Sequence, residues 1–174
     1  MKVALVGYGA AEGPSALQYW MTQGADVTIC DQNPELNTPA GVEKQLGPNY
    51  LDDLDRFDVI LRTPGLHPRI LLEKNPDIQD KITTTVNEFM RISPTENIIG
   101  VTGTKGKGTT CSLIIAMLEE AGKQAFLGGN FGISPFDFLT KLTSESWVVL
   151  EFSSYMLYDI SQSPHIGVCQ LVEP

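Results

Sequence analysis

The sequence predicts an α/β protein built from two parallel sheets, and three observations predict it. Short apolar, β-rich runs alternate with helix-length segments, the pattern of strands joined by helical crossovers. Glycine turns follow the first apolar run, in VGYGAAEG (6–13), and a later one, in GVTGTKGKGTT (100–110). Between them SPTEN (93–97), polar and carrying a proline, reads as a linker after which the pattern restarts. The expected domains are 1–94, a Rossmann-like unit, and 95–174, the N-terminal part of a P-loop-type ATPase unit.

Each element follows from its residues. KVALVG (2–7) is the first strand, and PSALQYWMTQG (14–24) a helix with Pro14 in its first turn and Gly24 past its end. ADVTICD (25–31) is the second strand; 32–49, rich in Pro, Asn and Gly, is loop with room for a short helix. FDVILRTPG (57–65) is a strand breaking into a Pro-Gly turn, HPRILLEKNP (67–76) a short helix, and DKITTTVNEFMRI (80–92) a strand leading into another helix. In the second unit NIIGV (97–101) is a buried strand. KGTTCSLIIAMLEEAGK (107–123) is a helix with apolar residues at Leu113, Ile114, Met117 and Leu118. QAFLGGN (124–130) is a strand and glycine turn, SPFDFLTKLT (134–143) a helix, and SWVVLEF (146–152) and HIGVCQLV (165–172) are strands. The last strand runs into Val-Glu-Pro at the sheet edge where α/β ligands bind, which reads as a truncated unit.

Composition narrows the function. With 42% hydrophobic and 19% charged residues the chain can bury an ordinary core. A net charge of −9 argues against nucleic acid or an anionic membrane as partner, because either needs a basic face. Cys30, Cys111 and Cys169 are scattered and odd in number, which favours free thiols in a reducing cytoplasm. No signal peptide or membrane-length apolar run is present, so a cytoplasmic location is expected. His67 and His165 are isolated, the serines at 153 and 154 lack a nucleophile elbow, and LDDLDRFD (51–58) reads as a solvated face.

The chemistry sits in the second glycine turn. A strand enters it and a helix leaves it, which is the context a phosphate cradle needs: glycines let successive N–H groups converge, and the helix start adds partial positive charge. Lys107 would supply a point charge to β/γ-phosphates and a following hydroxyl would hold Mg²⁺. Gly108 stands at the Ser/Thr position of the common phosphate loop, with Thr109 and Thr110 behind it. A Glu closing the apolar strand WVVLE, Glu151, is costly there unless it meets a cation. In the first unit, Gly7 and Gly9 start a dinucleotide-like fingerprint whose third Gly is displaced to 13, with Glu12 in its slot, and Asp31 ends strand two. By itself this leaves open an NAD-binding module, and the second turn leaves open a compact P-loop kinase.

TGTKGKGTT resembles the T-G-T-N-G-K-[TSG]-[ST] loop of the Mur ligase family, ATP-dependent amide ligases of peptidoglycan precursor synthesis. Related folylpolyglutamate-type ligases carry Gly after the Lys and then Ser, similar to Gly108–Thr109. LGGNFG (127–132) resembles the family's GGNIG and VVLEFSSYML (148–157) its LELSSFQL, with Met156 in place of Gln. The order GYG, ICD, TPG (63–65), VNEFMRI, TGTKGK is similar to that of the D-glutamate-adding members. The resemblance implies ATP and Mg²⁺ as cofactors. Gly103, Thr104, Lys105, Gly106, Lys107, Gly108, Thr109 and Thr110 would form the nucleotide loop, Lys105 replacing the usual Asn. Lys107 and Glu151 would be catalytic, and Thr109 and Glu151 would hold the metal. Gly9, Ala10, Ala11, Asp31, Gln32, Gly65, Asn130 and Ser153 would contact a UDP-sugar substrate. The implied reaction joins D-glutamate to UDP-N-acetylmuramoyl-L-alanine through an acyl phosphate. Another Mur-type or folylpolyglutamate-type ligase is the alternative. Family members carry an Asp-His segment, a modified Lys and a further domain after such a strand, so this chain alone is expected to be inactive.

Overall fold

The computed structural model describes residues 1–158 and 160–173; Pro174, the end of the second expected domain, lies outside them. The chain divides into two compact units, Met1–Thr85 and Val86–Pro174.

The first unit is a five-stranded parallel sheet. Its strands are β1 (Lys2–Val6), β2 (Asp26–Asp31), β3 (Glu43–Leu46), β4 (Val59–Arg62) and β5 (Ile82–Thr83), in the order β3-β2-β1-β4-β5. Val3, Ala4, Leu5 and Val6 are all buried, as expected of a central parallel strand covered on both faces. Helix α1 (Gly13–Thr22) turns Ala16, Leu17 and Trp20 inward, and Gly24 closes it at φ +71°. Helix α2 (Pro68–Lys74) is capped by His67, whose Nδ1 accepts the Arg69 N–H at 3.1 Å. One core cluster gathers Ala4, Val6, Cys30, Ile60, Leu71 and Ile78 with Leu51, Leu54 and Phe57. The last three come from LDDLDRFD: its apolar residues are core, and of its acids Asp52 meets Lys74 Nζ at 2.8 Å. Strand β3 lies inside the stretch expected as loop. It is an edge strand with exposed or half-exposed side chains throughout, so no apolar alternation marks it.

The second unit repeats the plan with a different strand order. Helix α3 (Thr85–Ile92) leads into it, followed by β6 (Ile98–Thr102), helix α4 (Lys107–Glu120), β7 (Ala125–Gly129), β8 (Trp147–Glu151) and β9 (Ile166–Cys169). The parallel order is β7-β8-β6-β9, so β6, the strand that enters the glycine loop, lies inside the sheet between β8 and β9. The apolar residues of α4 divide differently from the expected stripe. Cys111, Ile114, Ile115 and Leu118 pack on the sheet, whereas Leu113 and Met117 are 59% and 63% exposed. The helix expected over 134–143 is two single 3₁₀ turns, Pro135–Asp137 and Leu139–Lys141. Phe136 and Phe138 are both buried there, and residues two apart on an α-helix point to opposite sides. Phe138 stacks on Phe126 at 5.3 Å and meets Phe89 edge-on at 5.8 Å. Among the described residues no helix is long and apolar enough to cross a membrane.

Candidate functional site

In the second unit the loop between β6 and α4 forms a cradle of backbone N–H groups. Gly106 caps α4 at φ +83°, a left-handed turn that glycine takes without strain. The N–H groups of Lys105–Thr109 have no acceptor among the described residues, and they stand at the positive end of a fourteen-residue helix. Lys107 folds back so that Nζ donates to the carbonyls of Gly103 at 3.0 Å and Thr104 at 3.3 Å. Lys105 reaches outward to Glu173, Nζ to Oε2 at 3.1 Å, with most of its side chain exposed. Thr109 is exposed in the first turn of α4, whereas Thr110 donates its hydroxyl to Gln170 Oε1 at 2.6 Å.

Glu151 stands beside this loop because β8 pairs with β6 in a register that sets Val101 against Glu151. Its side chain is nearly buried, and Oε1 accepts the Asn130 amide at 2.7 Å while Asn130 N–H donates to the Glu151 carbonyl at 2.8 Å. Oε2 faces the start of α4: a Cβ on Gly108 would lie 3.4 Å from it and 3.2 Å from Phe131 Cε2. A glycine at 108 therefore leaves the Phe131 ring and the carboxylate room against the helix. Burial, and then the Glu151 charge, push the Cys111 thiol up to about 11, so this thiol stays protonated beside the loop. Ser153, in the turn after β8, accepts the Met156 N–H on Oγ at 3.3 Å.

The first unit gathers its candidates at the C-terminal ends of β1, β2 and β4. The Asp31 carboxylate ties two loops together, Oδ2 accepting Gly9 N–H at 3.0 Å and Oδ1 accepting Asn33 N–H at 2.9 Å. Ala10 and Ala11 follow in the turn, Gln32 is exposed beside Asp31, and Gly65 is exposed in the turn after β4. Gly13 starts α1 where a Cβ would sit 2.0 Å from the Tyr8 carbonyl oxygen, so the displaced third glycine is the one the close approach demands. Glu12 is thereby freed to enter the unit's interior. Burial raises its carboxyl to about 7, eased by the Thr85 hydroxyl and the Arg62 charge. The Thr85 contact is a near approach and not a formed bond, since Glu12 Oε1 and Thr85 Oγ1 are both buried without a partner.

Two residues here escape sequence reasoning. Arg62 is fully buried and its Nη1 donates to the carbonyls of Thr63, Pro64 and Leu66 at 3.2, 3.1 and 3.0 Å, which shapes the turn carrying Gly65. Its one signal is a cation closing an apolar strand, VILR. Gln170 gives no signal at all, because only the pairing of β9 with β6 brings it to the loop.

No family model matches the chain. It is 36% identical over 184 aligned positions to the UDP-N-acetylmuramoylalanine–D-glutamate ligase of Acetivibrio thermocellus, covering 99% of the chain and 39% of that protein. The ligase of the same name from Clostridium botulinum strain Loch Maree is 34% identical over 182 positions, with the same coverage of both chains. Among solved structures, a murein peptide ligase from Psychrobacter arcticus aligns with a TM-score of 0.49 at 19% identity, over 89% of this chain and 38% of that one. The chain thus spans about two-fifths of the length of the curated relatives it matches. With all but a residue or two aligned at more than a third identity, the chain is similar over its whole length to D-glutamate ligases of the Mur ligase family.

Proposed function

We propose that this chain is the nucleotide- and substrate-binding part of a cytoplasmic ATP-dependent ligase that adds D-glutamate to UDP-N-acetylmuramoyl-L-alanine. The observation that carries the reading is the second unit's cradle: five N–H groups at the start of a long helix, without an acceptor among the described residues, with the nearly buried Glu151 carboxylate beside them. Unpaired donors at a helix start fit a triphosphate, and a carboxylate whose Oε2 faces the same turn fits a divalent cation between protein and phosphate. Among the described residues no three His, Cys, Asp or Glu cluster, so a cation here would need phosphate oxygens and water to complete its shell.

On this reading ATP supplies, when bound, the phosphoryl group that activates a carboxylate toward an amine. Lys107 would exchange its bonds to the Gly103 and Thr104 carbonyls for phosphate oxygens, offsetting their charge. Gly103–Thr110 would line the phosphates, and Glu151 with the Thr109 hydroxyl would hold Mg²⁺. Asn130 orients Glu151 through its amide and would also meet the sugar substrate, with Ser153 beyond it. In the first unit Gly9, Ala10 and Ala11 would receive the diphosphate, and Asp31, Gln32 and Gly65 would border the uridine. Calorimetric titration with Mg²⁺ and ATP tests the cradle. Binding should weaken roughly a hundredfold in Lys107→Ala, the loss of a charge-assisted contact, and lose its Mg²⁺ requirement in Glu151→Gln. Equal affinity in wild type and Lys107→Ala would overturn the assignment.

A further inference from the structure

The geometry points to Gln170 as a positioning residue that holds the phosphate loop in its receiving shape. The inference rests on the loop being a phosphate site, and it adds a residue that the glycine motif does not contain. Gln170 leaves β9 with its N–H on the Thr102 carbonyl at 3.1 Å, which sets its side chain against the loop. There Nε2 donates to the Lys105 carbonyl at 2.8 Å, and Oε1 accepts the Thr110 hydroxyl at 2.6 Å. One carboxamide thus joins the middle of the loop to the first turn of α4. The fit depends on glycines: a Cβ on Gly103 would lie 2.8 Å from Gln170 Cγ, and one on Gly106 would lie 3.1 Å from Nε2. The next residues continue the clamp, Thr104 N–H donating to the Leu171 carbonyl at 2.7 Å and Glu173 N–H to Thr104 Oγ1 at 3.0 Å.

Two consequences follow for the cradle. Holding the Lys105 carbonyl to Gln170 fixes the peptide plane that joins Lys105 to Gly106, and so the direction in which the Gly106 N–H points. Occupying the Thr110 hydroxyl separates the roles of the two threonines. Thr110 commits its one hydroxyl proton to Gln170, and Thr109 keeps a hydroxyl without a partner among the described residues for a ligand. Gln170 itself touches neither phosphate nor metal in this account and acts through the loop.

The test uses the whole chain with Gln170→Met, which keeps the side-chain length and removes both bonds, Thr110→Val, and the double variant. Amide hydrogen exchange is read at Thr104 and Thr110, whose N–H groups are bonded to the carbonyls of Leu171 and Gly106, and, as a control for the fold, in β6 and β8. In Gln170→Met the loop amides should exchange roughly tenfold faster while the strand amides do not change. Thr110→Val should give part of this effect, and the double variant should be no faster than Gln170→Met. Titrated with Mg²⁺ and ATP, Gln170→Met should bind roughly tenfold more weakly, and Gln170→Asn should recover part of the loss if it restores one bond. Unchanged loop exchange, or exchange that rises equally in the strands, would overturn the proposal. If the wild-type chain binds no Mg²⁺–ATP, the nucleotide reading of the loop fails, and the exchange experiment alone still decides whether Gln170 holds it.

Discussion

Glu12 shows how one residue can be legible in place and illegible in consequence. The sequence marks it as occupying the slot of the fingerprint's third glycine, but only the fold shows that Gly13 takes over the close approach to Tyr8 and turns Glu12 inward. Its carboxyl sits at about 7 against an ordinary value of 4.5, chiefly through burial. The folded chain therefore holds this proton more tightly than the unfolded chain. Stability is greatest below the ordinary value, falls as pH rises through the interval, and is level again above about 7. The full loss is on the order of 3 kcal/mol. Glu12→Gln removes it: in urea denaturation at pH 4, 5.5 and 8, the variant's advantage over wild type should grow with each step. An advantage that does not change with pH would contradict the account. At Asp31 the sequence placed a carboxylate at the correct strand end, but not the two N–H bonds, to Gly9 and Asn33, that engage it in holding loops together. Gln170 was missed because strand pairing brings its partners close, and Arg62 because its partners are carbonyls of the following turn, which no side-chain pattern marks.

At the level of elements, legibility followed the strength of the apolar pattern. Fully buried strands such as β1 and β8 announce themselves as unbroken apolar runs. The edge strand β3 carries Glu, Lys and Gln and is fixed by its backbone bonds to β2, which no side-chain pattern records. In SPFDFLTKLT the apolar content suggested a helix, while the irregular path buries both Phe136 and Phe138 and gives Phe138 two aromatic contacts. The polar stretch SPTEN likewise hides a tie. Thr95 is nearly buried, with Oγ1 2.7 Å from the Ser146 carbonyl and 3.2 Å from that of Ser144, and it accepts Asn97 N–H at 3.1 Å. Thr95→Val keeps the shape and leaves these groups unpaired, so it should destabilise the second unit by about 1–3 kcal/mol. Urea denaturation followed at Trp147, in β8, should read this loss, and a change below about 0.5 kcal/mol would show that water replaces the hydroxyl.

For the molecule as a whole, the restart of the βα pattern announced two parallel sheets, and the glycine turns marked the strands from which each sheet's ligand edge is built. The strand orders β3-β2-β1-β4-β5 and β7-β8-β6-β9 could not be read from the chain, yet they bring the candidates together: Asp31 to Gly9 in one sheet, Glu151 to Gly108 in the other. On the proposed reading the first turn receives a uridine diphosphate sugar and not a nicotinamide dinucleotide, even though its fingerprint admits both. Calorimetric titration of the chain with UDP-N-acetylmuramoyl-L-alanine and, separately, with NADH tests this most directly. The account predicts saturable binding of the UDP compound, weakened by Asp31→Ala, and no heat from NADH. Saturable binding of NADH with none of the UDP compound would contradict it.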